Sequence, residues 1–141
     1  MELAPVKVGA PSASLAAGMK ARASNVFQRN REHGPDKAID DDLETRWATD
    51  SGTKQAWLEV DLGAPKTFSK VAIHEWAGGG TRIQKFELQY QAGTDWKTFS
   101  NGTTVGAEFK IEFPAVTARV VRLNSLDATE GPTIDEFEIL K

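Results

Sequence analysis

Cysteine is absent from the 141 residues, which excludes a disulfide framework and any thiolate metal site. A chain of this length needs no such staple. It buries roughly 70% of the surface its unfolded form exposes, and one domain is expected. Charge of one sign is missing too: the formal net charge is -3, and acidic and basic residues are mixed along the chain. No basic run offers a footprint for nucleic acid, and no polybasic segment offers an anchor to a membrane surface, so neither partner is expected. Apolar stretches fall far short of the ~18 residues a membrane span requires. Histidine is scarce, with His33 and His74 far apart in sequence. There is no G-x-S-x-G, no Walker loop and no H-E-x-x-H, and no lysine-serine pair follows Gly78-Gly79-Gly80 to make it a phosphate cradle. The expectation is a protein that is not an enzyme. The opening Met1-Glu2-Leu3-Ala4-Pro5 has no charged segment followed by an apolar core and does not read as a signal peptide. The abrupt start favours the expectation of a piece of a larger secreted, periplasmic or cell-surface protein.

What the chain does contain is short apolar alternation broken by turns. Trp57 to Leu62 alternates in part and reads as stopping at Gly63-Ala64-Pro65. In 83–90, Phe86, Leu88 and Tyr90 fall on one side and Lys85, Glu87 and Gln89 on the other, the period of two of a half-buried strand. Gly93-Thr94-Asp95 and Asn101-Gly102 read as turns. Phe109, Ile111 and Phe113 alternate with charges up to Pro114, and Phe137 and Ile139 alternate with Glu136 and Glu138. Many short strands at regular spacing predict an all-β sandwich or barrel. One short helix is expected over 34–39, with Pro35 near its start. Trp47, Trp57 and Trp96 lie in or beside strand patterns and are expected in the core.

The run Asp40-Asp41-Asp42 concentrates negative charge in one turn, which calls for full solvation or a cation. Calcium takes six to eight oxygens from carboxylates, hydroxyls and carbonyls in a flexible loop. The loop is not an EF-hand, since it lacks the glycine and the distal glutamate in register. On spacing alone, a metal site and an exposed acidic turn both stand.

The segments Ala23-Ser24-Asn25, Ala38-Ile39-Asp40-Asp41-Asp42-Leu43-Glu44-Thr45-Arg46-Trp47 and Ala56-Trp57-Leu58-Glu59-Val60-Asp61-Leu62-Gly63 resemble the discoidin, or coagulation-factor 5/8 type C, superfamily. They resemble in particular its family 32 carbohydrate-binding modules. Gly80-Thr81-Arg82-Ile83-Gln84-Lys85-Phe86-Glu87 and the stretch from Trp96 to Gly106 are similar to modules appended to bacterial α-L-fucosidases. The resemblance runs from about Ala23 to the C-terminus, which divides the chain into an N-terminal extension and first strand over 1–22 and the module over 23–141. It implies an eight-stranded antiparallel jelly-roll β-sandwich. It also implies a structural calcium held by the backbone oxygens of Lys37 and Asp42, the Asp40 carboxylate, the carbonyl and hydroxyl of Thr45, the Asp135 backbone and the Glu136 side chain. Asp41 stands where the family usually has glycine, and aspartate tolerates a left-handed backbone better than most residues.

For the sugar, the resemblance carries over only in part. Galactose-binding members often place histidine where this chain has Ala48, and asparagine where it has Gly80, so a galactose-type pocket is not expected. The loop from Glu75 to Gly80 supplies Trp76 and its neighbour Glu75 as candidate sugar contacts. Trp76 has two readings, an exposed stacking platform or the buried end of a strand. Arg29, Arg31 and His33 form a second candidate group. Guanidinium matches a carboxylate or sulfate bidentately, so an acidic glycan would suit them, with a solvated loop as the bland alternative. Arg82 is expected as a structural salt-bridge partner. The function implied is a monomeric, non-catalytic module that binds carbohydrate for the catalytic domain of a parent enzyme. A structural or protein-interaction spacer is the rival. Lipid binding through exposed apolar spikes, for which the loops offer mainly Trp76 and Phe27, ranks lower.

Overall fold

The computed structural model describes residues 13–141, so residues 1–12 of the expected N-terminal extension lie outside the described residues. Seven strands are present among them: β1 (Lys20–Ala23), β2 (Trp47–Ala48), β3 (Ala56–Glu75), β4 (Ile83–Ala92), β5 (Asp95–Gly102), β6 (Phe109–Ala128) and β7 (Thr133–Leu140). They pair antiparallel in the order β2-β7-β3-β6-β4-β5, with β1 added against β3. The all-β antiparallel class is as expected. The strand count is seven rather than eight because β3 and β6 are each 20 residues long.

Those two strands run through the points where the sequence reads as breaks. The stop expected at Gly63-Ala64-Pro65 is a bulge inside β3, where the register with β6 shifts between Asp61 and Lys66. Gly63 supplies a φ of 85° there, and Asp61 Oδ1 accepts its N–H at 2.8 Å. The first half of β3 pairs with β1, the second with β7, and β6 accompanies both. The sheet thereby folds over a single core of Leu58, Val60, Phe68, Ile73, Ile83, Phe86, Leu88, Leu123, Phe137 and Ile139. Asn101-Gly102 is likewise not a turn but the end of β5, paired with Glu87 and Phe86. A Cβ on Gly102 would meet the Phe86 ring at 2.8 Å, so this glycine serves packing. Gly102→Ala is expected to lower stability by about 1–3 kcal/mol through overpacking, measured by urea titration.

The helix expected over 34–39 is a single 3-10 turn, Pro35–Ala38. Further 3-10 turns at Phe27–Arg29 and Arg31–His33 precede it, and one at Ala77–Gly79 follows β3. Trp47 is buried as expected, with its indole N–H donating to the Asn25 carbonyl at 2.8 Å. Trp57 and Trp96 depart from expectation. Both are half-buried on the outward side of the sheet, and Arg122 lies 4.9 Å over one ring and 3.8 Å over the other. The alternation that buries Leu58 and Val60 turns Trp57 outward, where cation–π contact with Arg122 covers it.

Candidate functional site at the loop end

The acidic loop is shaped by its own side chains. Asp40 Oδ1 accepts from Asp42 N at 3.2 Å, and Asp42 Oδ1 accepts from Glu44 N at 2.9 Å. Asp41 adopts the left-handed φ of 60° that its place in the loop demands. Its N–H donates to Glu136 Oε2 at 3.1 Å, joining the loop to β7 across 95 residues of sequence. The Thr45 hydroxyl lies 3.4 Å from the Lys37 carbonyl and 3.1 Å from the Asp42 carbonyl, and it also contacts Asp40 Oδ2. That hydroxyl has one proton to give, so the crowded oxygens around it keep unsatisfied lone pairs.

Glu136 carries the stronger signal. It is 3% exposed, and its Oε1 has no hydrogen-bond partner. Burial pushes its carboxyl up to about 9, with the charges of Asp40 and Asp41 adding to the rise and the Asp41 N–H opposing it. A buried, unpartnered carboxylate oxygen beside an all-oxygen loop fits a hard divalent cation. Among the described residues, no three Asp, Glu or His side chains gather closely enough to hold an ion alone. The donor set here is instead mixed, with two carboxylates, one hydroxyl and backbone carbonyls. Asp135 follows β7 inward beside Glu136. Burial raises its carboxyl, and the nearby Arg46 and His74 oppose the shift.

A cleft of about 240 Å³ opens at the same end, lined by Phe27, His33, Arg46, Trp76, Arg82 and Glu130 among others. Trp76 follows the end of β3, and its N–H donates to the Thr133 carbonyl at 3.1 Å. It is neither a free platform nor a core residue. It stands half-buried in the wall, with the Arg46 guanidinium 4.0 Å from its ring centroid. Gly78 and Gly79 let the following turn close on the indole, since a Cβ on either would come within 3.0 Å of it. Phe27 is half-buried as well and sets its ring edge against His33 at 5.6 Å. Neither residue is the exposed apolar spike that a lipid-binding reading requires.

Glu75, expected among the sugar contacts, is corrected by the structure. It is 2% exposed, and its carboxylate is spent on three backbone donors: Arg82 and Ile83 at 3.0 Å each and Gly106 at 2.8 Å. As the last buried residue of β3, it lies beneath the Trp76 loop and fixes it. Glu75→Ala would leave three N–H groups without an acceptor, at about 1–3 kcal/mol for each one buried. The expected result is a large fall in melting temperature, with Glu75→Gln intermediate because one oxygen remains. Arg82 also departs from its expected ion pairing. It donates to the carbonyls of Gly131 at 2.9 Å and Gly79 at 3.4 Å, and to Thr133 Oγ1 at 3.3 Å.

The group Arg29, Arg31 and His33 is divided. His33 lines the Trp76 cleft, whereas Arg29 and Arg31 line a separate cavity of about 580 Å³ with Ser24, Asn25 and Lys37. That cavity is larger but has no aromatic wall. The residue that sequence reasoning missed is Arg46. A signal existed: it precedes buried Trp47 in an extended segment, so alternation turns it toward the cleft.

An antiparallel β-sandwich with an oxygen-rich loop and an aromatic cleft at one end defines the class of protein. The chain belongs to the F5/8 type C domain family, whose model matches residues 20–137. It is similar to a protein of Oryza sativa subsp. japonica named "Putative alpha-L-fucosidase 1", at 26% identity over 110 residues. That match takes in 78% of this chain and 21% of the relative, so the chain spans about a fifth of the curated relative's length. Among solved structures, it is similar to chitosan-binding module 2 of a chitosanase/glucanase from Paenibacillus sp. IK-5, in complex with chitotriose. The TM-score is 0.81 and the identity 27%, covering 90% of this chain and 99% of that one. A Ruminococcus gnavus GH29 fucosidase in complex with fucose gives a TM-score of 0.81 at 31% identity, covering 91% of this chain and 26% of that one.

Proposed function

We propose that this chain is a non-catalytic carbohydrate-binding module that holds a larger glycan-degrading enzyme near its substrate. The observation that carries the reading is the Trp76 cleft at the loop end of a sandwich whose structural relatives include a module with chitotriose bound. Its volume of about 240 Å³ is the scale of one sugar residue rather than an extended chain. Binding of one residue is weak, and tethering turns weak binding into a high local concentration of substrate.

A structural calcium belongs to the same proposal. Lys37 and Asp42 through their carbonyls, Asp40 and Glu136 through their carboxylates, Thr45, and the Asp135 backbone are the residues that would hold it. The ion would supply positive charge to a loop that otherwise crowds oxygens together. The unpartnered Glu136 Oε1 supports this assignment.

The test is a glycan array, neutral and acidic, probed with the purified domain with and without calcium. Binding to a defined glycan is the expected result. A folded domain that binds none of them would be a spacer, the reading favoured by Ala48 and Gly80 at positions where galactose-binding members carry ligands.

A further inference from the structure

We propose that the sugar residue this cleft takes is anionic, a uronate or a sulfated sugar, and that Arg46 reads its charged group. The inference rests on the carbohydrate-binding reading and names the ligand class within it. Arg46 is half-buried in the cleft wall, yet it makes no hydrogen bond and no ion pair with any described residue. Its Cζ lies over the Trp76 ring, 4.0 Å from the centroid. A cation–π contact of this kind steadies the guanidinium without using any of its five N–H donors in a hydrogen bond. A fixed, donor-rich fork matches the paired oxygens of a carboxylate or sulfate and requires little further ordering on binding.

The neighbours sharpen the sign of the cleft. Glu130, the one acidic residue in the lining, has its carboxylate taken up by the N–H groups of Gly52 and Gly131 and the Ser51 hydroxyl. Those donors, Gly52 foremost, hold its carboxyl below the usual range and tie both of its oxygens to the protein, while its negative charge remains in the cleft beside the two guanidinium groups. Arg82 spends its hydrogen bonds on protein oxygens but keeps its charge, and it lies 5.6 Å from the Trp76 ring. His33 lines the same cleft with a buried Nδ1 that has no partner. Buried Asp135 feels the Arg46 charge without forming an ion pair with it. Glu32 and Glu44 line a separate groove that shares Arg46 and His33, and neither is paired with Arg46. Arg46 is therefore the guanidinium at the cleft whose hydrogen-bond donors are unspent, and it suits the paired oxygens of an acidic sugar.

The experiment is calorimetry of the intact chain in calcium at low and high salt. The probes are trigalacturonate, its methyl ester, a sulfated galactose with its unsulfated parent, and chitotriose. The expected result is that one acidic probe binds at least about tenfold more tightly than its neutral partner, the scale of a charge-assisted bidentate pair. That preference should weaken with salt. Arg46→Gln should abolish the acid-to-neutral ratio, and Arg46→Lys should keep the salt dependence but lose most of the ratio. A residue with a merely structural role would not move that ratio. Equal binding of acidic and neutral partners would overturn the inference while leaving the module reading intact, as would chitotriose binding best. No binding by any probe would overturn the inference, and the glycan array decides the module reading separately.

Discussion

Calcium is expected to raise the melting temperature of this domain by roughly 10 °C, and chelation to reverse the rise. An ion present at a hundred times its dissociation constant stabilises by about 2.7 kcal/mol, and a domain of this size gains a few degrees for each kcal/mol. The Glu136 carboxylate gives the prediction its sharper form. In the metal-free fold its carboxyl is pushed up to about 9 from the usual 4.5. The folded state then holds a proton that the unfolded state gives up, so its contribution to stability is complete below about 4.5 and is lost as pH rises through about 9. The metal-free domain should therefore weaken between those limits. With calcium bound, the carboxylate is needed in its charged form, and the decline should flatten. Glu136→Gln separates the two effects. At pH 8 the metal-free variant should melt no lower than the metal-free parent, because glutamine is neutral without taking up a proton on folding. Adding calcium should then raise its melting temperature little or not at all. Thermal melts of parent and variant, each with calcium and with chelator, check all four states. A full calcium response in Glu136→Gln would remove Glu136 from the ligand set.

Replacing Trp76 with alanine is expected to abolish measurable glycan binding while leaving the fold intact. The indole forms part of the wall of the cleft and lies 4.0 Å beneath the Arg46 guanidinium. Without it, Arg46 recovers the rotamer freedom of a long side chain, and the recess defined by Gly78 and Gly79 opens. The expected loss is at least tenfold in affinity, about 1.4 kcal/mol. Stability should fall less than in Glu75→Ala, because Trp76 is only half-buried whereas Glu75 is buried with all its acceptors engaged. Affinity electrophoresis against the glycan found on the array measures the first quantity, and a thermal melt the second. Binding that survives in Trp76→Ala would move the site to the Arg29 and Arg31 cavity.

Much of the fold was legible because strand alternation is a local signal. Phe86 with Leu88, and Phe137 with Ile139, announce their inward faces, and all four are buried. The acidic loop was legible as chemistry because three adjacent aspartates need an explanation wherever they occur. The misread positions share a different cause. Gly63-Ala64-Pro65 and Asn101-Gly102 have the composition of turns, yet they lie within long strands where a partner strand overrides local preference. Glu75 read as a candidate sugar contact, and it is buried because segments distant in sequence, at Arg82 and Gly106, close over it. The division of Arg29, Arg31 and His33 between two cavities, and the pairing of Arg46 with Trp76, depend on where three loops meet. No window along the chain contains that information.

One feature of the topology bears on how the domain would behave under load. β7 is not an edge strand; it lies between β2 and β3, and its Ile139 carbonyl also accepts the Leu15 N–H at 2.7 Å. Tension applied through Leu140 would pull β7 along its own axis against both neighbours. The ladder bonds would then be strained together in shear rather than unzipped one at a time. Asp41 clasped to Glu136 adds a cross-link midway along the same strand.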